Sequence, residues 1–575
     1  MQLFFRPTEK KYEGEGILPH GTFNNTEDWR PLIKYLETGA EEFPNKIMFK
    51  MGNGEGKIIE QFTYSETNQK SNQIANYLIE KCLIRSEDKI GIFMLNSSEF
   101  VFSILATHKS GAIQVPVNKD EKGDRLLYVI NYSEMKVLII DQSAISLIEP
   151  IANKFENLEK IFISGSEESI PETLGKIKCE KFESFNEGST DNPNIELTIA
   201  NKERCMFTSG TTGMPKGVVR EHGGVLMTVR SYIQHQGIRN DDTLMSVLSL
   251  GHANAQAMCL FAAIGAGCTA VFFPKFSASN FWKWAHDCGA TVTNFLGAVA
   301  EYLWSAKPGD YDQKHKVRIV LAGPAPRNLK EFEKRFNLKI VEGYGSTEMG
   351  MPLWKSPEDD RVGSCGYPVE GYYLEIRNPE NIEEVIKPHW DPSLEDKPPE
   401  SAKGLLFIRP NVPNTTLNEY FKDERRTREA FDDDGFFNSD DLFAAGTDGR
   451  YYFIGRFSRL RVSGENVDPI AVADLALMYP SIQDAIAVGL RLPEISDDEL
   501  KLNIIVKDGE KFDEAEFCKW MAEQCIVAMV PRFIEIFDSG FPMTASQKVK
   551  VSALKEITDK TWDRSKAGLK FSARK

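Results

Sequence analysis

TSGTTGMPKGV, residues 208–218, packs one serine, three threonines, three glycines and a lysine into eleven positions. Glycines let a backbone turn its N–H groups inward around an anion. Here Gly210, Gly213 and Gly217 supply that freedom. The hydroxyls of Thr208, Ser209, Thr211 and Thr212 and the ammonium of Lys216 add further donors. Apolar Cys205-Met206-Phe207 leads in as the end of a strand, and Pro215 stiffens the way out. A plain Ser/Gly linker carries no such Pro-Lys-Gly stop between apolar runs. The stretch therefore reads as a phosphate-cradling loop. It is not a Walker loop, which has four residues between its glycines and a hydroxyl directly after the lysine. Gly210 and Gly213 have only two residues between them, and Gly217 follows Lys216.

The flanking sequence alternates helix and strand. Residues 1–30 are polar and irregular, a strap over the surface. A helix is predicted from Trp29 to Phe49, and a second enters at Tyr64-Ser65 with Ile74, Ala75, Leu78 and Ile79 at helical spacing. KIGIFML (89–95), AIQVPV and KVLIID (136–141) are short apolar runs of the kind buried in parallel strands, with SEFVFSILATHKSG a helix between the first two. Downstream, strands end at Gly251-His252, at Gly297-Ala298, in the Gly-Pro turn of VRIVLAGPAPRN and in LKIVEGYGSTEMG. The fold class is α/β: stacked doubly wound subdomains in which each candidate loop follows a strand's carboxyl end. The charged, Pro-rich stretch from about 375 to 405 reads as a solvated loop or edge hairpin. The chain breaks near Gly455-Arg456, which divides it into a large domain (31–455), a hinge (456–460) and a small α+β domain (461–575). In the last, Phe517, Trp520, Met521 and Cys525 form one apolar helix face.

Tyr344-Gly345-Ser346-Thr347-Glu348 is a second glycine-hinged turn, and it ends in a carboxylate. Asp441, in NSDDLF, can accept from both hydroxyls of a ribose, and Arg456, fifteen residues on, brings a cation to the same edge. Together with the 208–218 loop these stretches resemble the adenylate-forming superfamily of acyl-CoA synthetases, peptide-synthetase adenylation domains and beetle luciferase. The resemblance spans residues 30 to 556. It is greatest to stand-alone AMP-forming acyl-CoA ligases of the crotonobetaine/carnitine–CoA ligase type, whose Gly-Glu-Asn after the hinge is shared at 464–466.

The resemblance implies a fold and a set of roles. A β-barrel-like part joins the large domain, and the small domain is a mobile lid. Thr347 donates to the α-phosphate, Glu348 holds Mg²⁺, and Gly343 to Ser346 line the nucleotide. Gly323, Ala325 and Pro326 lie along the adenine, although Pro324 replaces a usual glycine. His252 gates the acyl pocket, which Gly251, Asn254, Gly297 and Ala298 line. Gly464 and Glu465 face coenzyme A. Lys548, six residues after Pro542, is the adenylation lysine, with Gln547 where the family has glycine. Asp440 likewise stands where the family writes the glycine of Thr-Gly-Asp. The hinge is one residue short, which leaves Ser458 and Arg459 both open as the pivot.

ATP, Mg²⁺ and coenzyme A are thus the expected cofactors and a carboxylic acid the expected substrate. A carrier-protein thiol is the alternative acceptor, a homodimer is left open, and a luciferase-type oxygenase or a non-catalytic nucleotide binder are the remaining readings. The net charge of −15 is spread without a basic cluster, which argues against nucleic acid. No apolar run reaches the 18 residues of a membrane span. Nine cysteines without a C-x-x-C pair read as buried thiols in a reducing cytoplasm.

Overall fold

A computed structural model describes residues 29–571 apart from 120, 167–169, 209–214, 324, 327, 396, 457–459, 463–464, 468, 493–497, 539 and 543–550. The described chain divides into two compact units. The larger runs to Thr208, resumes over Gly217–Ser439 and closes with Phe443–Ile454. The smaller holds Lys216, Asp440–Leu442 and the chain from Gly455.

Two open sheets carry the larger unit. In the nine-stranded one, Lys202–Thr208, Ile113–Pro116, Lys89–Phe93, Met135–Asp141, Lys160–Ser164 and Ile177–Lys181 run parallel as neighbours. In the seven-stranded one, the parallel order is Lys339–Val341, Ile319–Gly323, Val292–Leu296, Thr243–Ser246, Thr269–Phe272 and Ile47–Gly52. Their apolar runs are buried on both faces, as parallel strands covered by helices must be. A five-stranded sheet from Tyr372–Asn378, Asn381–Val385, Lys403–Pro410, Phe437–Ala445 and Tyr451–Arg456 supplies the β-rich part. Its edge strand Asn381–Val385 is exposed throughout, so the Pro-rich stretch begins as an edge hairpin. Trp390 and Ala402, in the same stretch, are instead buried against Ala444 and Tyr452.

Local sequence explains most element ends. The helix Tyr64–Glu80 opens on a capping box, in which Thr63 Oγ1 accepts from Glu66 N at 3.1 Å and Glu66 Oε2 from Thr63 N at 2.8 Å. The helix predicted over Trp29–Phe49 is shorter: it spans Leu32–Glu42, and the strand Ile47–Gly52 takes up the rest. Pro44 is the cause. A residue before proline is pushed out of the α region, and Phe43 sits at φ −141°, ψ 61°.

The smaller unit packs helices Pro469–Leu477 and Glu514–Gln524 on a sheet of Ile482–Arg491, Asp498–Val506, Phe533–Ile536 and Trp562–Asp563. Phe517, Cys518 and Met521 are fully buried there, with Trp520 and Cys525 packed beside them. All nine cysteines are unpaired. Among the described residues no helix is long and apolar enough to cross a membrane.

Candidate functional site

The chain reverses its direction of travel across the seven-stranded sheet at Thr243–Ser246. It steps to Thr269–Phe272 on one side, then returns to Val292–Leu296 on the other and continues outward through Ile319–Gly323 and Lys339–Val341. Open α/β sheets bind ligands at the carboxyl ends of strands beside such a switch. Four neighbouring carboxyl ends here deliver the loops with Gly251, His252 and Asn254, then Gly297 and Ala298, then Gly323, Ala325 and Pro326, and finally Gly343 to Glu348.

At the switch itself, Asn294 Nδ2 donates to Asn254 Oδ1 and joins the two loops. Asn294 is buried and Asn254 half-buried. His252 is exposed and precedes the short helix Ala253–Ala255. Asn96 sets this loop from the other sheet. Its Nδ2 donates to Leu248 O at 2.8 Å and Phe273 O at 3.0 Å, and its Oδ1 accepts from Leu250 N at 2.7 Å. Glu342 does the same for the turn that follows Ile319–Gly323, where its Oε1 accepts from Ala325 N at 3.1 Å. Burial pushes the Glu342 carboxyl up, against the pull of that N–H and of Lys355.

The Thr347–Glu348–Met349 turn closes a hairpin between Gly343–Ser346 and Gly350–Trp354. Gly350 has φ +70°, the left-handed region, and a Cβ there would lie 2.5 Å from Thr228 Oγ1. Glu348 is 9% exposed, and its Oε1 accepts from the Tyr420 hydroxyl at 3.1 Å. Ser346 Oγ accepts from Met349 N at 3.2 Å. Tyr372 donates to Met349 O at 2.9 Å. Burial lifts its phenol to about 12 despite Arg220, so it stays a donor at neutral pH. Tyr344 packs edge-on against Phe443, with ring centroids 4.7 Å apart.

The 208–218 stretch is flanked by described strands, Lys202–Thr208 before it and Lys216–Glu221 after it. The Thr208 hydroxyl is shielded from solvent and meets no hydrogen-bond partner among the described residues. Ser209, Gly210, Thr211, Thr212 and Gly213 lie outside the described residues, as do Gly464, Lys548 and both hinge candidates, Ser458 and Arg459. Arg456 ends the strand Tyr451–Arg456, and Glu465 opens the short strand Glu465–Val467. Asp441 is 2% exposed within Phe437–Ala445. Its neighbour Asp440 takes φ +58°. That is the conformation a glycine would adopt freely, and aspartate is among the few other residues that tolerate it.

Behind these strands lies a buried polar group that the sequence did not announce. His108 Nε2 is 3.1 Å from Glu203 Oε1, with both side chains almost fully buried, and Arg204 pairs with the other oxygen of Glu203. The His108 and His222 rings meet edge to face at 5.4 Å. Burial, seconded by Arg204, holds His108 at about 3. Burial, seconded by His108, does the same for His222. Both imidazoles are neutral at pH 7. Arg220, Asn96, Glu342, Tyr372 and Tyr420 also went unmarked, because nothing local to an isolated side chain tells which distant loop it meets.

Known proteins resemble the chain over most of its length. The chain is 27% identical over 516 residues to the crotonobetaine/carnitine–CoA ligase of Proteus mirabilis (strain HI4320), covering 89% of this chain and 96% of that one. Its fold matches the anthranilate CoA ligase in complex with anthranoyl-AMP, with TM-score 0.66, 22% identity and coverage of 92% and 98%. It also matches the o-succinylbenzoate CoA synthetase of Bacillus subtilis, with TM-score 0.68, 21% identity and the same coverage. Residues 36–390, more than half of the chain, fit the family model described as AMP-binding enzyme. By that match the chain belongs to the AMP-binding enzyme family.

Proposed function

We propose that the protein is an AMP-forming acid–thiol ligase that activates a carboxylic acid with ATP and passes the acyl group to coenzyme A. The observation that carries this reading is the meeting of four strand ends at one switch, with a buried carboxylate, Glu348, on the turn that follows the outermost of them. Family membership and the CoA ligases among its relatives and fold neighbours support it further.

In the first step a carboxylate oxygen of the acid attacks the α-phosphorus of ATP in line. The new P–O bond yields the acyl-adenylate, and the bond to the β-phosphate breaks to release pyrophosphate. The protein's part is positioning and charge neutralisation. Thr347 and the 208–213 loop with Lys216 are the groups for the phosphates, Asp441 and Arg456 for the ribose, and Gly323 to Pro326 with Gly343 to Ser346 for the base. Lys548 offers its ammonium between the acid's carboxylate and the α-phosphate.

Glu348, with the hydroxyls of Ser346 and Thr347 beside it, is the set that would hold Mg²⁺. These are hard oxygen donors, and Mg²⁺ is commonly bound through one or two carboxylates plus substrate phosphates. Among the described residues no cluster of three or more His, Cys, Asp or Glu offers an all-protein cage, and none is needed for such a site. When bound, the ion spreads and neutralises phosphate charge.

In the second step the thiol sulfur attacks the acyl carbon, the thiol proton passes to solvent, and AMP departs with the electron pair of the broken C–O bond. Lys548 has no work there. The small domain therefore turns about residues 456–460 and presents Gly464 and Glu465 to the thiol substrate. We place the enzyme in the cytoplasm, in keeping with nine unpaired cysteines.

Pyrophosphate release over a panel of straight-chain, aromatic and quaternary-ammonium acids tests the first step, with Lys548→Ala as the blank. Coenzyme A competing with a phosphopantetheine carrier protein tests the second. Thioester on coenzyme A is the expected product. Preferred loading of the carrier would make it an acyl-AMP ligase, and an absence of nucleotide binding would end the reading.

A further inference from the structure

Arg220 is buried, at 5% exposure, in the strand that leaves the phosphate loop. Its Nη1 donates to Thr347 O at 2.9 Å and its Nη2 to Thr415 O at 2.8 Å. Thr347 is the residue before Glu348. On the other side of Glu348, the Met349 carbonyl is held by Tyr372, and the carboxylate itself by Tyr420. The backbone is thus gripped on both sides of one acidic residue by side chains from distant parts of the chain.

Space has been left for the guanidinium. A Cβ on Gly224 would stand 2.2 Å from Arg220 Nη2 and 2.8 Å from its Nε, so any larger residue there would displace it. Burial pulls the guanidinium below its ordinary value and Arg204 adds to that pull, while Tyr372 and the carboxylates of Glu203 and Glu348 oppose it. A buried guanidinium spanning two carbonyls in divergent directions uses the planar fork that lysine lacks.

We propose that Arg220 is a positioning residue: by fixing the Thr347 carbonyl it aims the Glu348 carboxylate at the nucleotide's phosphates. The proposal rests on the ligase reading and on Glu348 as the metal-side carboxylate. The partners of Arg220 are the Thr347 and Thr415 carbonyls. It acts through the turn.

The test compares wild type, Arg220→Lys, Arg220→Met and Glu348→Gln as full-length proteins. Calorimetric titration measures affinity for magnesium α,β-methylene-ATP and, separately, for AMP without divalent cation. Pyrophosphate release gives kcat and KM for the acid, and thermal midpoints report folding. A hydrogen bond from a charged donor supports a loss of about tenfold or more. Arg220→Met should bind the magnesium nucleotide about tenfold more weakly, with AMP affinity and acid KM within about twofold of wild type. Arg220→Lys, which keeps the charge and one carbonyl, should fall between, and it carries the test if the methionine variant does not fold.

A purely structural arginine would lower the thermal midpoint and weaken AMP and magnesium nucleotide alike, and that result overturns the proposal. So does unchanged magnesium-nucleotide affinity in both arginine variants while Glu348→Gln loses it. Failure of wild type to bind any nucleotide, or a Glu348→Gln protein with unaltered Mg²⁺ dependence, would instead refute the underlying reading and the proposal with it.

Discussion

Acidification from pH 7 to 5.5 should loosen the larger unit through two histidines that never charge while it is folded. His108 and His222 are held at about 3, burial being the main cause for both. An unfolded histidine titrates near 6.5. Between those values the unfolded chain binds more protons than the folded one, so stability rises with pH there and is lost as pH falls below about 6.5. At pH 5.5 an unfolded histidine is about nine-tenths protonated, and the difference from pH 7 amounts to about 1 kcal/mol per residue. The pair together contributes about 2–3 kcal/mol. Urea midpoints at the two pH values, read by tryptophan fluorescence and multiplied by the slope, give the change for wild type. His222→Gln removes one of the two titrations. Its stability should be lower at pH 7, yet its further loss on going to pH 5.5 should be smaller than that of wild type by about 1 kcal/mol. Every other titrating group contributes to both proteins alike, so the difference isolates this ring. Parallel pH profiles for the two proteins would show that His222 charges in the folded state, and the account of the buried group would be wrong.

Two further substitutions probe the site's scaffolding. At Asp440, whose φ is +58°, glycine should match or exceed aspartate in thermal midpoint. Valine should lose about 1–2 kcal/mol and weaken AMP binding through the adjoining Asp441; a valine as stable as glycine would refute the left-handed backbone there. Asn96→Ala strips partners from the Leu248 and Phe273 carbonyls and the Leu250 N–H, so it should destabilise by about 3 kcal/mol. Because that loop runs on to Gly251 and His252, KM for the acid should rise while KM for ATP holds, and the reverse pattern would place Asn96 elsewhere in the chemistry.

What the sequence made legible was short and contiguous. The 343–348 turn declares itself by glycines and hydroxyls packed within a few residues, since the backbone that turns is the backbone that carries the donors, whereas most of the 208–218 stretch lies outside the described residues. The parallel strands declare themselves by apolar runs such as 136–141. The long helix placed over Trp29–Phe49 failed at one residue, Pro44, whose effect falls on the preceding phenylalanine and whose far side already reads as strand. Trp390 was hidden because a charged neighbourhood outweighs one aromatic in any local count, although that ring seeds its own small core.

Arg220 and Tyr420 belong to the other class. They stand 127 residues from Thr347 and 72 from Glu348, and nothing in VVREHG or NEYFKD speaks of a hairpin elsewhere. Asp440 shows the converse. Judged by residue identity it departs from the Thr-Gly-Asp pattern, but its φ of +58° is a conformation that glycine adopts freely. The physical requirement is a positive φ before a buried aspartate, which two residue types can meet at different strain. Loops that touch a ligand are therefore readable where they are written, whereas the buried groups that aim them are written on other strands. A departure in a loop is to be judged by its φ, and a departure in the scaffold by whether the distant carbonyl it served still finds a donor.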